Sequence, residues 1–285
     1  MLVCSGRRLV RQIAALLWIA ATLQGCASFS GKPPLPKQAL LEHDGRPTAE
    51  TDFAALVPLA DVIYFPSDRA ASGGRGEPAA RLLEAMEREG TPFTVGWDVL
   101  DAPQQPLLDK LPAAMTPGAR EEILDQLVIS GSGRVREHCR AVLRDPRFAT
   151  VGHLALRWPS AIAAKLETAE RLSPEEEREL PRGFTVPVAG AEAFVERLAR
   201  TGASPSVMAA AYRSHVLAQQ FAAEQIVAHF RGLSAFGRLV VFLSRDDLAA
   251  GQGVPFYVAQ KIRLRQIVLD SENAARRPTT IVTQL

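Results

Sequence analysis

The sequence predicts an α/β fold, a central and mostly parallel sheet flanked by helices, with a helical insertion over about 105–235. Three observations carry this prediction. A strand, helix, strand order runs from Asp61 to Trp97, a length that suits a crossover between parallel strands. The continuous apolar run Arg238-Leu239-Val240-Val241-Phe242-Leu243 follows Gly237, as expected of a strand buried on both faces in mid-sheet. Between them, Ser204 to Phe230 is the longest helical pattern, opened by Ser204-Pro205 and free of Gly or Pro thereafter.

At the start of the chain, Arg7, Arg8 and Arg11 precede an apolar segment from Ile13 to Leu23, which closes on Leu23-Gln24-Gly25-Cys26. The three parts of an export signal are present. The apolar segment falls short of the ~20 residues a bilayer-spanning helix needs. The site resembles that of bacterial lipoproteins. That resemblance implies that residues 1–25 are removed and that Cys26 carries the lipid, several acyl chains giving durable anchoring where one gives little. Ala27, not Asp, follows Cys26, a pattern similar to lipoproteins passed to the outer membrane of Gram-negative bacteria, so the expected location is a lipid anchor there, facing the periplasm. Removal of residues 1–25 takes away three Arg and no acid, so the balance moves from 33 minus 31 to 30 minus 31, or −1. That balance and the scattered Lys and Arg give no footprint for a nucleic-acid partner. Of three Cys, Cys139 alone is left without a partner after Cys4 and Cys26 are accounted for; a buried, inert thiol is expected.

Residues 26–52, including Lys32-Pro33-Pro34-Leu35-Pro36, read as a flexible tether. The folded domain is expected over 53–273 and a loosely packed tail over 274–285. Within the domain, Asp61-Val62-Ile63-Tyr64-Phe65 reads as a buried strand stopped by Pro66 and followed by a Gly-rich loop over 72–76. Leu82, Leu83, Ala85 and Met86 give helical spacing up to Gly90, and Pro92 to Trp97 reads as the second strand. Helices are expected from Pro106 to Leu143, one starting at Thr116-Pro117 and the last stopping at Asp145-Pro146. Ala149 to Leu156 is a candidate third strand with imperfect alternation, and Ser160 to Arg171 resumes a helical pattern. Ser173-Pro174-Glu175-Glu176 opens a further helix that Pro181 ends. After the strand at 238–243 come the loop Gly251-Gln252-Gly253-Val254-Pro255, a helix to about Ile262 and a strand at Gln266 to Asp270.

No nucleophile elbow, phosphate-binding loop or His-x-x-x-His pair is present in the sequence. Ser130-Gly131-Ser132-Gly133 lacks the strand-to-helix setting of a phosphate loop and reads as a turn between helices. Asp246 and Asp247, with Asp61 and Asp98, form a candidate acidic cluster at strand ends, where open α/β sheets place ligands. Such a cluster suits a hard cation, with a solvated loop pair as the alternative; no metal-ligand spacing supports it, and no metal ligand is assigned.

Taken in order, the strand ending Gly96-Trp97-Asp98 with Gln105 after it, the Glu179-Leu180-Pro181 turn, the long helix with Ala218-Gln219 and the strand leading to Gly251-Gln252-Gly253-Val254-Pro255 resemble the ChaN-like haem-binding lipoproteins. These are similar in fold to the Tiki and erythromycin-esterase-like proteins. The resemblance covers roughly Leu56 to Asp270. It implies a haem ligand, uptake of iron in that form, and homodimerisation around the ligand. Departures from the family pattern fall on five positions. A Gly-Glu-x-His motif is replaced by Pro66-Ser67-Asp68-Arg69, so Ser67 and Arg69 stand where a carboxylate and an imidazole would bind metal or move protons. Asp98 keeps an acid after the second strand. Ala223 occupies the place of an Asp in the long helix, and Asp247 lies in Ser244-Arg245-Asp246-Asp247, where a His is expected. Loss of both imidazoles argues against a hydrolase of the related types.

Haem needs an apolar pocket and an axial ligand such as His or Tyr. Met208, Tyr212 and His215 lie at helical spacing on the long helix. Tyr212 is the candidate phenolate ligand, His215 a direct ligand or its hydrogen-bond partner, and Tyr257 the reserve; ordinary core packing is the alternative for the stripe. His43, His138 and His153 read as surface or packing residues, and Trp97 and Trp158 as packing for the sheet or its rim. The leading expectation is a membrane-anchored lipoprotein that binds haem or a related iron ligand without catalysis. Two alternatives stay open, a module that binds another envelope protein and a metal-dependent hydrolase with a rearranged acidic site.

Overall fold

The computed structural model describes residues 38–42, 53–67, 78–114, 116–168, 170–181, 183–184, 186–187, 191–200, 202–232, 237–248, 253–269 and 279–283. The strands among them are β1 (Gln38–Glu42), β2 (Val62–Pro66), β3 (Phe93–Asp101), β4 (Gly152–Arg157), β5 (Arg238–Leu243), β6 (Gln266–Val268) and β7 (Thr279–Thr283). Five form one sheet in the order β4-β3-β5-β2-β6, every neighbouring pair parallel. The α/β prediction therefore holds. β2 is buried throughout its length and β5 at every position but its first, which is why both read as uninterrupted apolar runs. The apolar run at 238–243 occupies the middle of the sheet, as its composition predicts.

The helices obey local rules at their ends. α1 (Pro78–Glu89) is followed by Gly90 at φ 74°, a left-handed conformation that Gly adopts at no steric cost. α2 (Pro117–Gln126) has Thr116 as its cap, the hydroxyl accepting from the Ala119 amide. α3 (Gly133–Arg144) is capped by Ser132, whose hydroxyl accepts from Val135. Ser130 to Gly133 is thus a turn between helices, as expected. Gly131 is required there: its φ is 100° and a Cβ would come within 3.2 Å of Val99.

Residues 36–159 and 221–285 form one compact unit, the sheet unit, and Ser160–Gln220 forms another. The helical insertion expected over 105–235 is therefore a correction in extent. β4 lies inside that interval and belongs to the sheet, at the candidate third strand read over 149–156; its inner four residues are all buried, which is why its alternation is imperfect. The inserted unit holds α4 (Ser160–Glu167), a short helix Pro174–Arg178 with a Ser173/Glu176 capping box, α5 (Ala191–Ala199) and the first part of α6 (Pro205–Gly232). The helix at 191–199 is absent from the sequence-based expectation. α7 (Val254–Lys261) returns the chain to β6. Within the segments read as tether and tail, β1 and β7 pair antiparallel, Leu40 opposite Ile281. The rest of those segments, with the signal residues 1–25, Cys26 and His43, lies outside the described residues.

Packing of the sheet is organised around a row of aromatic rings. Trp97, Phe242 and Phe65 share one register level on β3, β5 and β2. Trp97 stacks on Phe242 at 4.8 Å and Phe65 meets Phe242 at 5.8 Å. Pairs of this kind add about 0.5–1.5 kcal/mol beyond area burial. Cys139 on α3 is fully buried, and burial together with the nearby Asp98 charge pushes its thiol upward, so it is the inert thiol the sequence suggests. On the other side of β2, the Tyr64 hydroxyl donates to Gln266 at 2.6 Å and the Gln266 amide to Pro255 at 3.3 Å, which ties β2, β6 and α7 together through hydrogen-bonded buried polar groups.

Candidate functional site

One residue beyond the aromatic row, the carboxyl ends of three adjacent strands bring polar side chains together. Trp97 aligns with Phe242 and Pro66 with Leu243, so Asp98 on β3 and Ser67 after β2 flank the end of β5, which continues into Ser244. The Ser67 hydroxyl donates to Asp98 Oδ2 at 3.3 Å. Ser244 in turn donates to Asp247 Oδ2 at 2.6 Å while its hydroxyl accepts from the Asp247 amide at 3.3 Å, a local cap for the single turn Asp246–Leu248. Ends of parallel strands are where α/β sheets present ligand sites.

Asp98 owes its position to an irregularity in β3. Trp97 faces Ala155 and Asp101 faces Arg157, so four steps on β3 oppose two on β4. A bulge of this kind bends the strand and re-aims a side chain. The segment it frees is taken up elsewhere: Leu100 bridges Ile129 and the Ser130 amide donates to Val99 at 2.9 Å. Gly96, just before Trp97, lies so close to β4 that a Cβ would come within 2.8 Å of Leu156.

Although Asp98 keeps some surface, its Oδ1 is buried with no hydrogen-bond partner among the described residues. Burial, and then the charge of Asp247, raise the carboxyl to about 7. The Ser244 backbone, the Ser67 hydroxyl and the Arg157 charge pull the other way. Arg157 stands 3.5 Å from Asp101, the next acid along β3. A carboxyl titrating near neutrality beside the Ser67 hydroxyl can hold or release a proton at physiological pH.

Asp61 does not join this group. It precedes β2, at the amino end of the sheet, and is held there by Arg265 at 2.7 Å; the acidic cluster is corrected to Asp98 and Asp247, with Asp246 exposed. Among the described residues, no set of three or more His, Cys, Asp or Glu is placed to hold a metal ion. Ala223 is fully buried in α6, and Arg69 lies outside the described residues. Gln105, which the sequence marks only through the family resemblance, fastens the edge of the sheet. Its side chain donates to the His153 carbonyl and accepts from the Ala155 amide, both at 2.8 Å, and so closes part of the edge of β4.

The fold has a solved counterpart in ChaN. Over 81% of this chain and 90% of the other, with a TM-score of 0.54 and 10% sequence identity, the structure is similar to that of ChaN of Campylobacter jejuni, determined for cofacial haem binding to that protein. At that identity the likeness shows the fold. No family model matches the chain, and no curated protein matches it in sequence.

On the ChaN-type fold of this chain, the ring-bearing candidates divide between the units. In the inserted unit Met208 and Tyr212 are buried, Met208 against Val195. The Tyr212 hydroxyl donates to the Pro187 carbonyl at 2.8 Å, a role that needs the protonated phenol. His215 is half-buried, stacks on Phe194 at 5.0 Å and lies 2.9 Å from the Gln219 amide nitrogen through Nε2. Phe194 also meets Tyr212 at 5.4 Å. Phe194 is not among the sequence-based candidates because its helix is not, although Ala191, Phe194, Val195 and Leu198 carry the i, i+3, i+4, i+7 spacing that would have found it. Tyr257 lies in the sheet unit on α7, 5% exposed and edge-on to Phe256 at 5.5 Å.

Proposed function

We propose that this chain is a lipid-anchored ligand-binding protein with a ChaN-type fold, carrying haem or a related iron ligand for uptake at the outer membrane, on its periplasmic side, without catalysing a reaction. The observation that supports the reading is the extent of the fold likeness to a haem-binding protein, 81% of this chain. Donor chemistry in the inserted unit is compatible with it. Haem brings an iron that accepts an axial imidazole or phenolate. His215, half-buried against Phe194 with Gln219 at its ring nitrogen, is the residue to hold it, since the side-chain amide fixes the ring as outer partners of ligating imidazoles do. Tyr212 would have to give up its bond to Pro187.

The test is an absorbance titration of the purified protein with ferric haem, repeated on His215→Ala and Tyr212→Phe. A saturable Soret shift at defined stoichiometry that His215→Ala abolishes supports the reading, and an effect of Tyr212→Phe moves the ligand to the phenol. A flat response in the wild-type protein refutes haem carriage and favours a module that binds another envelope protein. Sedimentation with and without haem reports the ligand-linked homodimer.

A second reading rests on Asp98, whose carboxyl at about 7 beside Asp247 suits a general acid or base in a hydrolase with a rearranged acidic site. Hydrolysis of ester or amide substrates, assayed with and without added divalent metal and lost in Asp98→Asn, is its test.

A further inference from the structure

The two segments that the sequence marks as tether and tail hold each other. β1 and β7 pair antiparallel along their whole length, from Gln38 opposite Thr283 to Glu42 opposite Thr279. Every residue of β7 is β-branched, Thr-Thr-Ile-Val-Thr, the composition that favours strands, and neither strand contains Gly or Pro. A two-stranded ribbon is marginal by itself. This ribbon has support, because β7 packs beside β6, the edge strand of the five-stranded sheet, with Cα atoms within 8 Å. Pairing also costs little further chain entropy. Phe53 and Leu269 are both buried in the core of the sheet unit, and the Leu269 amide donates to the Tyr64 carbonyl at 2.9 Å. With those two points fixed, bringing β1 to β7 closes the short stretches 43–52 and 270–278, and closure entropy grows with the logarithm of loop length.

We propose that β7 is a strap that fixes the tether to the sheet unit and so sets how far the folded domain can stand from its anchor. The proposal rests on the lipid anchor at Cys26 proposed above. Among the described residues the core begins at Phe53, so an unpaired tether would leave the 26 residues 27–52 between lipid and domain. Fully extended, they span at most about 90 Å. With β1 held, the 11 residues 27–37 bridge the gap, and their limit is about 40 Å. That bound holds whatever conformation those residues take. Effective concentration at the membrane surface falls as about the −3/2 power of linker length, so the strapped form presents the domain there at about three- to fourfold higher concentration.

The strap is tested without the lipid, on the chain carrying Cys26→Ser. Leu40→Cys with Ile281→Cys places two cysteines directly opposite each other, where antiparallel Cα atoms stand about 4.5–5.5 Å apart, inside the range of a disulfide. Leu40→Cys with Thr283→Cys is the diagonal control at about 7–8 Å, and Cys139 does not interfere because it is buried. Under mild oxidation the opposite pair is expected to close at least about tenfold faster than the diagonal pair. Equal rates overturn the strap. Its consequence is tested on the lipidated chain in vesicles of phosphatidylethanolamine and phosphatidylglycerol, with a donor dye on Val128→Cys, at a position 71% exposed, and an acceptor dye on the lipid. Ile281→Pro with Val282→Pro removes two consecutive amides, one of which faces β1 in either parity. That variant is expected to lower energy transfer, as the limit on separation rises about twofold, while the Leu40→Cys/Ile281→Cys disulfide keeps the wild-type value. Transfer unchanged by the two prolines overturns the control of reach. A wild-type chain that fails to join the vesicles overturns the anchor and the proposal with it, and the cross-linking rates tell that case from a failed strap.

Discussion

Raising the pH from 5 to 8 should destabilise the folded chain through Asp98, and Asp98→Asn should remove that effect. The carboxyl is raised from 3.8 to about 7 by burial and by Asp247. The unfolded chain loses its proton near 3.8 while the folded chain keeps its own up to about 7. Between those values the unfolded state binds fewer protons, so stability falls as pH rises, and it levels off above about 7. The whole shift, about three pH units at 1.36 kcal/mol each, corresponds to about 4 kcal/mol; about two of those units lie above pH 5, leaving about 3 kcal/mol for the interval from 5 to 8. The assay is urea unfolding of wild type and Asp98→Asn at pH 5 and pH 8, the difference between the proteins cancelling every other titrating group. Asp98→Asn should gain about 3 kcal/mol on wild type between the two pH values. A difference that stays constant within a few tenths of a kcal/mol would show that Asp98 titrates as an ordinary carboxylate, and the proton-holding role at the strand ends would fall with it.

Other outcomes follow from the same geometry. Asp247→Asn removes the charge that raises Asp98, so carbon-detected NMR titration should place the Asp98 midpoint lower than in wild type; Ser67→Ala, which removes a bond to the carboxylate, should move it higher. Gly96→Ala puts a methyl 2.8 Å from Leu156 Cδ1 and 3.5 Å from Val241 Cγ2, and because both neighbours are buried the overpacking should cost about 1–3 kcal/mol by chemical denaturation. Tyr212→Phe deletes the bond to the Pro187 carbonyl and should cost about 1 kcal/mol, read in the same assay. For the proposed anchor, Cys26→Ser should leave the membrane fraction on cell fractionation; a variant that stays membrane-bound refutes lipidation at that residue.

Much of the fold is a local matter and was legible on that account. Ser132, Thr116 and the Ser173/Glu176 pair announce helix starts because a cap is a contact within three residues. The runs at 62–66 and 238–243 announce strands because both faces of a parallel sheet are buried. The same burial makes the alternation of β4 imperfect, enclosed as it is on both sides, yet the candidate strand at 149–156 is found there, inside the interval read as a helical insertion. Ser67, Asp98 and Asp247 were picked out by type and order, whereas their grouping, and the exclusion of Asp61, depended on which end of β2 each residue falls.

From its sequence alone this chain declares an α/β class, most of its helix boundaries, the central place of the strand at 238–243 and a thiol without a partner. Each of these is set by neighbours in the chain or by the apolar character of a short run. Tertiary structure alone decided that Ser67 and Asp98 meet across the end of β5, that a bulge in β3 aims the carboxyl there, that Tyr212 spends its hydroxyl on Pro187, and that β1 and β7 pair. Those outcomes rest on strand register, on charge interactions and on desolvation between residues far apart in the chain, and such terms exist only once the sheet has assembled.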